Sequence, residues 1–157
     1  MPHIHQISVS NGGVPKLAVP SARITRTGVE GDAQHDRKHH GGPDRAVCLF
    51  SLEVIRRLND EGHPITPGSA GENLTISGLD WPALVPGTRL DIGDAAAGPI
   101  LEIVSYTEPC STIRNSFAAL EFRRIKQNLH PGESRVYARV VREGVASAGD
   151  ACRAVSV

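Results

Sequence analysis

Apolar and polar positions along this chain alternate in short runs, and turn-forming residues cut the runs apart. "HIHQISVS" (3–10) sets Ile4, Ile7 and Val9 among polar neighbours, and "SARITRTGV" (21–29) alternates basic side chains with Ile24, Thr25 and Thr27. Both patterns predict half-buried strands. "RAVCLFS" (45–51) is a continuous apolar run of strand length. The next segment, "LEVIRRLNDEG" (52–62), shifts to helical spacing, with Leu52, Ile55 and Leu58 on one face and Gly62 as the stop, so a strand leads directly into a helix. Further strands are predicted at 72–76, 88–93, 100–106 and 135–144, each bounded by Gly or Pro. The segment 111–130 carries Ile113, Phe117, Leu120 and Ile125 at roughly helical spacing and predicts two short helices ended by "HPG". A weak echo links "VPGTRLDIGD" (85–94) with "ASAGDACRAV" (146–155), each a Gly turn followed by an alternating strand.

About seven short strands with two or three helices, and no regular strand–helix alternation, predict a mainly β fold with peripheral helices (α+β). A closed or partly closed β-barrel fits this pattern better than a doubly wound parallel sheet. The 157 residues, 39% of them apolar, suffice for one core, and no low-complexity linker divides them. A single domain spanning 1–157 is expected.

Composition narrows the function. Seventeen basic and seventeen acidic residues cancel, which removes any general attraction to nucleic acid or to an anionic membrane. Aromatic residues are 4% of the chain, too few for base-stacking platforms. Cys48, Cys110 and Cys152 are odd in number, widely spaced and lack a CxxC pair, which argues against a disulfide framework or structural zinc and for reduced thiols in a cytoplasm. The N-terminus has no apolar signal core, and no window reaches the roughly twenty apolar residues of a membrane span.

Four features could carry chemistry. "HDRKHHGGPDR" (35–45) offers His35, His39 and His40 as metal ligands, with Asp32, Asp36 or Asp44 as supporting carboxylates, although the spacing matches no zinc pattern. Alternatively, Gly41 and Gly42 let backbone N–H groups approach an anion while Arg37, Lys38, His40 and Arg45 supply charge, or the segment is a solvated loop. Cys110, in "EPCSTI", follows a strand and precedes a helical segment, where unpaired N–H groups would favour a thiolate that acts as nucleophile or soft-metal ligand; a structural role is the alternative. Cys48, inside "AVCLF", reads as a small buried hydrophobe. Asn73, in "GEN", could bind a ligand or close an Asx turn, and Lys16, on a Gly/Pro loop, could be solubilising only.

Taken together, "GVPKLAV", "GVEGDAQHDRKHHGGPDRAVCLFS", "PGSAGENLTISGLDW", "VPGTRLDIG" and "EPCSTI", in this order and spacing, resemble the stand-alone MOSC domains, named for the molybdenum cofactor sulfurase C-terminal domain. The resemblance runs from Lys16 to the final strand and implies a β-barrel-like fold. It also implies binding of the molybdenum cofactor, a molybdopterin dithiolene with a phosphate tail, with Cys110 as the cysteine that coordinates molybdenum. Related proteins reduce N-hydroxylated compounds with electrons from a flavin or iron–sulfur partner. Carried over by motif, Lys16 and Asn73 match cofactor-facing positions, and His40, Gly41 and Gly42 match the loop that approaches the pterin or its phosphate. Arg45 and Arg114 are assigned to the anionic tail from charge and sequence proximity. The chain carries no ferredoxin-type Cys set and no flavin fingerprint, so a reductase of a small-molecule substrate would draw electrons from a separate donor protein. A sulfur carrier using a persulfide on Cys110 is the other expectation.

Overall fold

The computed structural model describes residues 1–33 and 42–156. Its elements are β1 (His3–Val9), β2 (Leu17–Val19), β3 (Ser21–Thr25), β4 (Gly28–Val29), β5 (Val47–Ser51), α1 (Leu52–Asp60), β6 (Leu74–Ser77), β7 (Arg89–Ile92), β8 (Ile100–Tyr106), β9 (Val136–Arg142), β10 (Gly144–Ser147) and β11 (Cys152–Val155). The strands form an eight-stranded sheet in the order β11-β7-β8-β9-β5-β6-β1-β2 and a smaller sheet β10-β3-β4.

The strand-to-helix junction falls where the pattern changes period. All five residues of β5 are buried, and Ser51 then caps α1 by accepting the Val54 N–H at 3.2 Å. An N-cap serine satisfies one of the helix's orphan donors. Leu52, Val54, Ile55 and Leu58 of α1 turn inward against β5 and β6. β5 and β6 run parallel, with Leu49 opposite Leu74, and a parallel pair needs a crossover. Here α1 and residues 61–73 supply it. The other strand pairs are antiparallel, and Ile7, Leu49, Phe50, Leu58, Leu74 and Leu90 are completely buried in the core.

The barrel expectation needs correction, since no closed barrel forms among the described residues. The large sheet ends in β11 on one side and β2 on the other. The start of β1 does meet the turn before β11, through a single bridge between His3 and Ala151 and main-chain bonds from Ile4 N–H to Asp150 O (2.9 Å) and from Cys152 N–H to Pro2 O (3.0 Å). Beyond Ala151 the chain commits its ladder to β7 instead, with Cys152 opposite Ile92.

Two further expectations change. The predicted strand 21–29 is a hairpin, β3 and β4 folding back about Arg26-Thr27 so that Ile24 faces Val29. The predicted helices in 111–130 are three 3-10 turns, Ser111–Ser116, Ala118–Leu120 and Phe122–Ile125. Extended backbone at Phe117 and left-handed backbone at Ala119 and Leu120 (φ 54° and 59°) interrupt any longer helix. The two echoed segments, 85–94 and 146–155, contain β7 and β11, which pair with each other.

Candidate functional site

Asp32 draws together three parts of the chain. Its Oδ2 accepts from Lys16 Nζ at 2.7 Å and from Asn73 Nδ2 at 2.9 Å, and its Oδ1 accepts the Ser10 N–H at 2.9 Å. The Lys16 and Asp32 side chains are both almost fully buried. Asn73 also donates to Ser8 O (3.2 Å) and accepts the Cys48 N–H (3.1 Å), so its amide joins β1, β5 and the Asp32 loop. Lys16 is seated by its own backbone, whose N–H donates to Gly68 O at 3.0 Å. That approach requires glycine at position 68: its φ is +86°, and a Cβ there would lie 2.5 Å from Lys16 O and 2.9 Å from Ser8 Oγ. Lys16 and Asn73, each singled out in the sequence, are thus brought together through an acid that the sequence offered only as a supporting carboxylate. A buried ion pair of this kind holds geometry more than it adds stability.

A second convergence centres on Tyr137, which stands opposite Cys48 across β5–β9 and opposite Ser105 across β8–β9. The Arg45 guanidinium, at the end of the 3-10 turn Pro43–Arg45, lies 5.7 Å from the centre of its ring, within cation–π range. Burial pushes the Tyr137 phenol well above the usual range; Cys48 and Cys110 push the same way, and Arg135 and Arg45 oppose them. Cys110 and Arg45 therefore share one neighbourhood. Cys110 is half-buried on extended backbone between β8 and the turn Ser111–Ser116, and its Sγ shares a hydrogen bond with Thr112 Oγ1 at 2.8 Å. The three cysteines form no disulfide.

The remaining sequence candidates separate. Arg114 is exposed and folds back on its own turn, Nη1 donating to Ser111 O at 2.8 Å. Gly42 is exposed and takes φ +92°, which a side chain would disfavour. His35, His39, His40 and Gly41 lie outside the described residues. Among the described residues, no group of three or more His, Cys, Asp or Glu side chains is placed to hold a metal.

The structure adds groups that the sequence did not mark. Arg135, 3% exposed, donates from Nη1 to Ala70 O at 2.7 Å, while its Nε and Nη2 have no hydrogen-bond partner among the described residues. Glu72 is fully buried; Oε2 accepts from Thr75 Oγ1 at 3.0 Å, and Oε1 makes no close hydrogen bond among the described residues. Burial raises the Glu72 pKa, opposed by the Gly68 and Glu72 N–H groups, by Thr75 and by Arg135. Burial likewise raises the Cys48 thiol, opposed by Arg135 and Lys16, and its Sγ sits 3.8 Å from Thr107 Oγ1. Arg135 opens a predicted strand and Glu72 stands beside Asn73, so the only sequence signal was position. Glu72 lies within the crossover, and Arg135 bonds to it through Ala70.

The MOSC-domain sequence profile matches residues 36–153. This chain belongs to the MOSC domain family. Its relatives include the uncharacterized protein YflK of Bacillus subtilis, 28% identical over 143 residues, which cover 90% of this chain and 62% of YflK. They also include the protein YiiM of Escherichia coli, 28% identical over 109 residues, 67% of this chain and 47% of YiiM. The chain thus spans less than two thirds of either relative. Among solved structures, YiiM from Geobacillus stearothermophilus superposes with a TM-score of 0.74 at 23% identity, covering 99% of this chain and 76% of that one. The YuaD protein of B. subtilis gives a TM-score of 0.75 at 18% identity, covering 100% and 97%. These MOSC-like structures share the fold. No helix among the described residues is long and apolar enough to cross a membrane.

Proposed function

We propose that this MOSC domain binds the molybdenum cofactor through Cys110 and reduces N-hydroxylated small molecules in the cytoplasm, with electrons from a separate donor protein. The observation that carries this reading is the gathering of the Cys110 thiol and the Arg45 guanidinium around Tyr137, from segments far apart in the chain. The side chains present fit such a group. A half-buried thiol is a soft ligand suited to molybdenum, and guanidinium groups suit an anionic tail. When bound, the cofactor supplies two-electron reduction of an N–O bond.

The chain's own residues have distinct tasks in this reading. Cys110 holds the metal and Thr112 fixes the direction of its sulfur. Arg45 offers positive charge at the aromatic wall. Lys16, Asp32 and Asn73 lock the neighbouring loops, so that the wall is organised before anything binds. Reduction of N–OH to N–H releases water and consumes two protons, which solvent reaches at the half-exposed Cys110 side.

Cys110 exposure also favours a second reading, a sulfur carrier that holds a persulfide on Cys110, since a carrier sulfur must be reachable by its acceptor. One preparation tests both. The protein is produced in a host that makes the cofactor, and molybdenum per chain is measured in wild type and Cys110→Ser, together with reduction of an N-hydroxylated amidine by a chemically reduced viologen. Metal and activity in wild type, both lost in Cys110→Ser, are expected. Equal, near-zero metal in the two would overturn the cofactor reading, and a sulfur adduct on Cys110 by mass spectrometry would then support the carrier.

A further inference from the structure

Among the described residues, Arg135 is a buried cation with no acid bonded to its Nε–Nη2 edge. The buried Glu72 carboxyl, which feels its charge, makes no ion pair with it among the described residues, and burial drives that carboxyl toward its neutral form. The Cys48 thiol and the Tyr137 phenol are likewise driven toward neutrality by burial. The buried Asp32 carboxylate is occupied by Lys16 and Asn73. Among the described residues no carboxylate pairs with this guanidinium, an arrangement that folded proteins rarely tolerate. Its unused Nε and Nη2 lie on one side of the planar guanidinium, the edge that grips two oxygens of an oxyanion at once. Glu72 Oε1 also makes no hydrogen bond among the described residues, and its carboxyl feels the Arg135 charge, so a neutral carboxyl there can donate to a third oxygen.

We propose that the Nε–Nη2 edge of Arg135, with Glu72, is a binding site for a phosphate-class oxyanion. The inference deepens the cofactor reading and rests on it only for the natural source of the phosphate, a pterin's phosphate tail as against free phosphate.

The test measures urea unfolding midpoints of cofactor-free protein in sodium phosphate and in sodium chloride of equal ionic strength. Equilibrium unfolding lets the anion reach a site that is closed in the folded chain, and a ligand of the native state alone raises the midpoint. Wild type is expected to gain stability in phosphate. Arg135→Met is expected to lose that gain while remaining at least as stable as wild type in chloride, because a buried unpaired charge has been removed. Arg135→Lys, which keeps the charge without the planar fork and stays readable if the methionine variant fails to fold, should bind phosphate about tenfold more weakly. An arginine that only props Ala70 would show the reverse, a less stable methionine variant with the phosphate gain intact, and that result overturns the proposal. So does the absence of any phosphate gain in wild type. Pterin content of protein from the cofactor-making host separates the two readings. Pterin lost in Arg135→Lys along with the phosphate gain supports the tail as the ligand; an Arg135-dependent phosphate gain with no pterin in any variant supports the anion site and overturns the cofactor reading.

Discussion

Asn73 grips Cys48 from both sides: its backbone N–H donates to Cys48 O at 2.8 Å, and its side-chain Oδ1 accepts the Cys48 N–H at 3.1 Å. One residue at the mouth of β6 thus satisfies both main-chain groups of a residue on the neighbouring parallel strand. The same side chain's Nδ2 reaches Asp32 and Ser8 O. The amide is a junction, and its oxygen and nitrogen are not interchangeable.

Asn73→Ala leaves the Cys48 N–H and Ser8 O buried without partners and deprives Asp32 of a donor. Each unsatisfied buried group costs about 1–3 kcal/mol, so a loss of about 3 kcal/mol is expected, read from urea unfolding. Asn73→Asp should be at least as damaging at neutral pH, because it sets a second carboxylate against Asp32. An alanine variant as stable as wild type would show that the junction contributes nothing.

Glu72 makes stability depend on pH in the direction opposite to most carboxylates. Its folded-state pKa is raised from the ordinary 4.5, first by burial, so the native state binds its proton more tightly than the unfolded chain does. Native stability is then undiminished below the ordinary carboxylate range and falls as pH rises above it. Glu72→Gln, which cannot ionise, should be more stable than wild type at pH 7 and lose that advantage near pH 4. Parallel urea titrations at the two pH values check this; an advantage that grew on acidification would contradict the assignment.

Cys48 and Cys110 should respond oppositely to replacement. Cys48 is 5% exposed in a strand that is buried throughout, and Cys48→Ser places a hydroxyl there at a cost of about 1–3 kcal/mol if it finds no partner. Cys110 is half-buried on extended backbone before a turn, so Cys110→Ala should shift the melting temperature little while abolishing retention of the proposed cofactor. Thermal melts that ranked Cys110→Ala as the more damaging would reverse these roles.

Local pattern was a good guide wherever one face or one period decides the outcome. Residues 100–106 form β8 as read, 45–51 contains β5, and α1 begins at Leu52, where the apolar spacing changes. The pattern fell short where tertiary pairing decides. β2 and β10 are short and half exposed, and they exist because β1 and β3 offer them edges. The apolar spacing of 111–130 looks helical, yet left-handed Ala119 and Leu120 break it into turns. Of the proposed site residues, Lys16 and Asn73 came from the family resemblance, Arg45 from its charge and nearness in sequence, and Cys110 from its place between a strand and a helical segment. Arg135 did not stand out, because an arginine opening a strand ordinarily faces water, whereas here it is buried and bonded to Ala70 of the crossover from α1 to β6.

The Asp32 junction also has an order in time. Asn73 Nδ2 finds Asp32 across 41 positions of sequence, whereas Lys16 finds it across 16. On a ribosome the base and the acid emerge first and can pair alone. The amide that fixes them to β5 arrives only after the crossover has been synthesised, so a nascent chain stalled short of Asn73 would lack the clamp that makes the pair a wall.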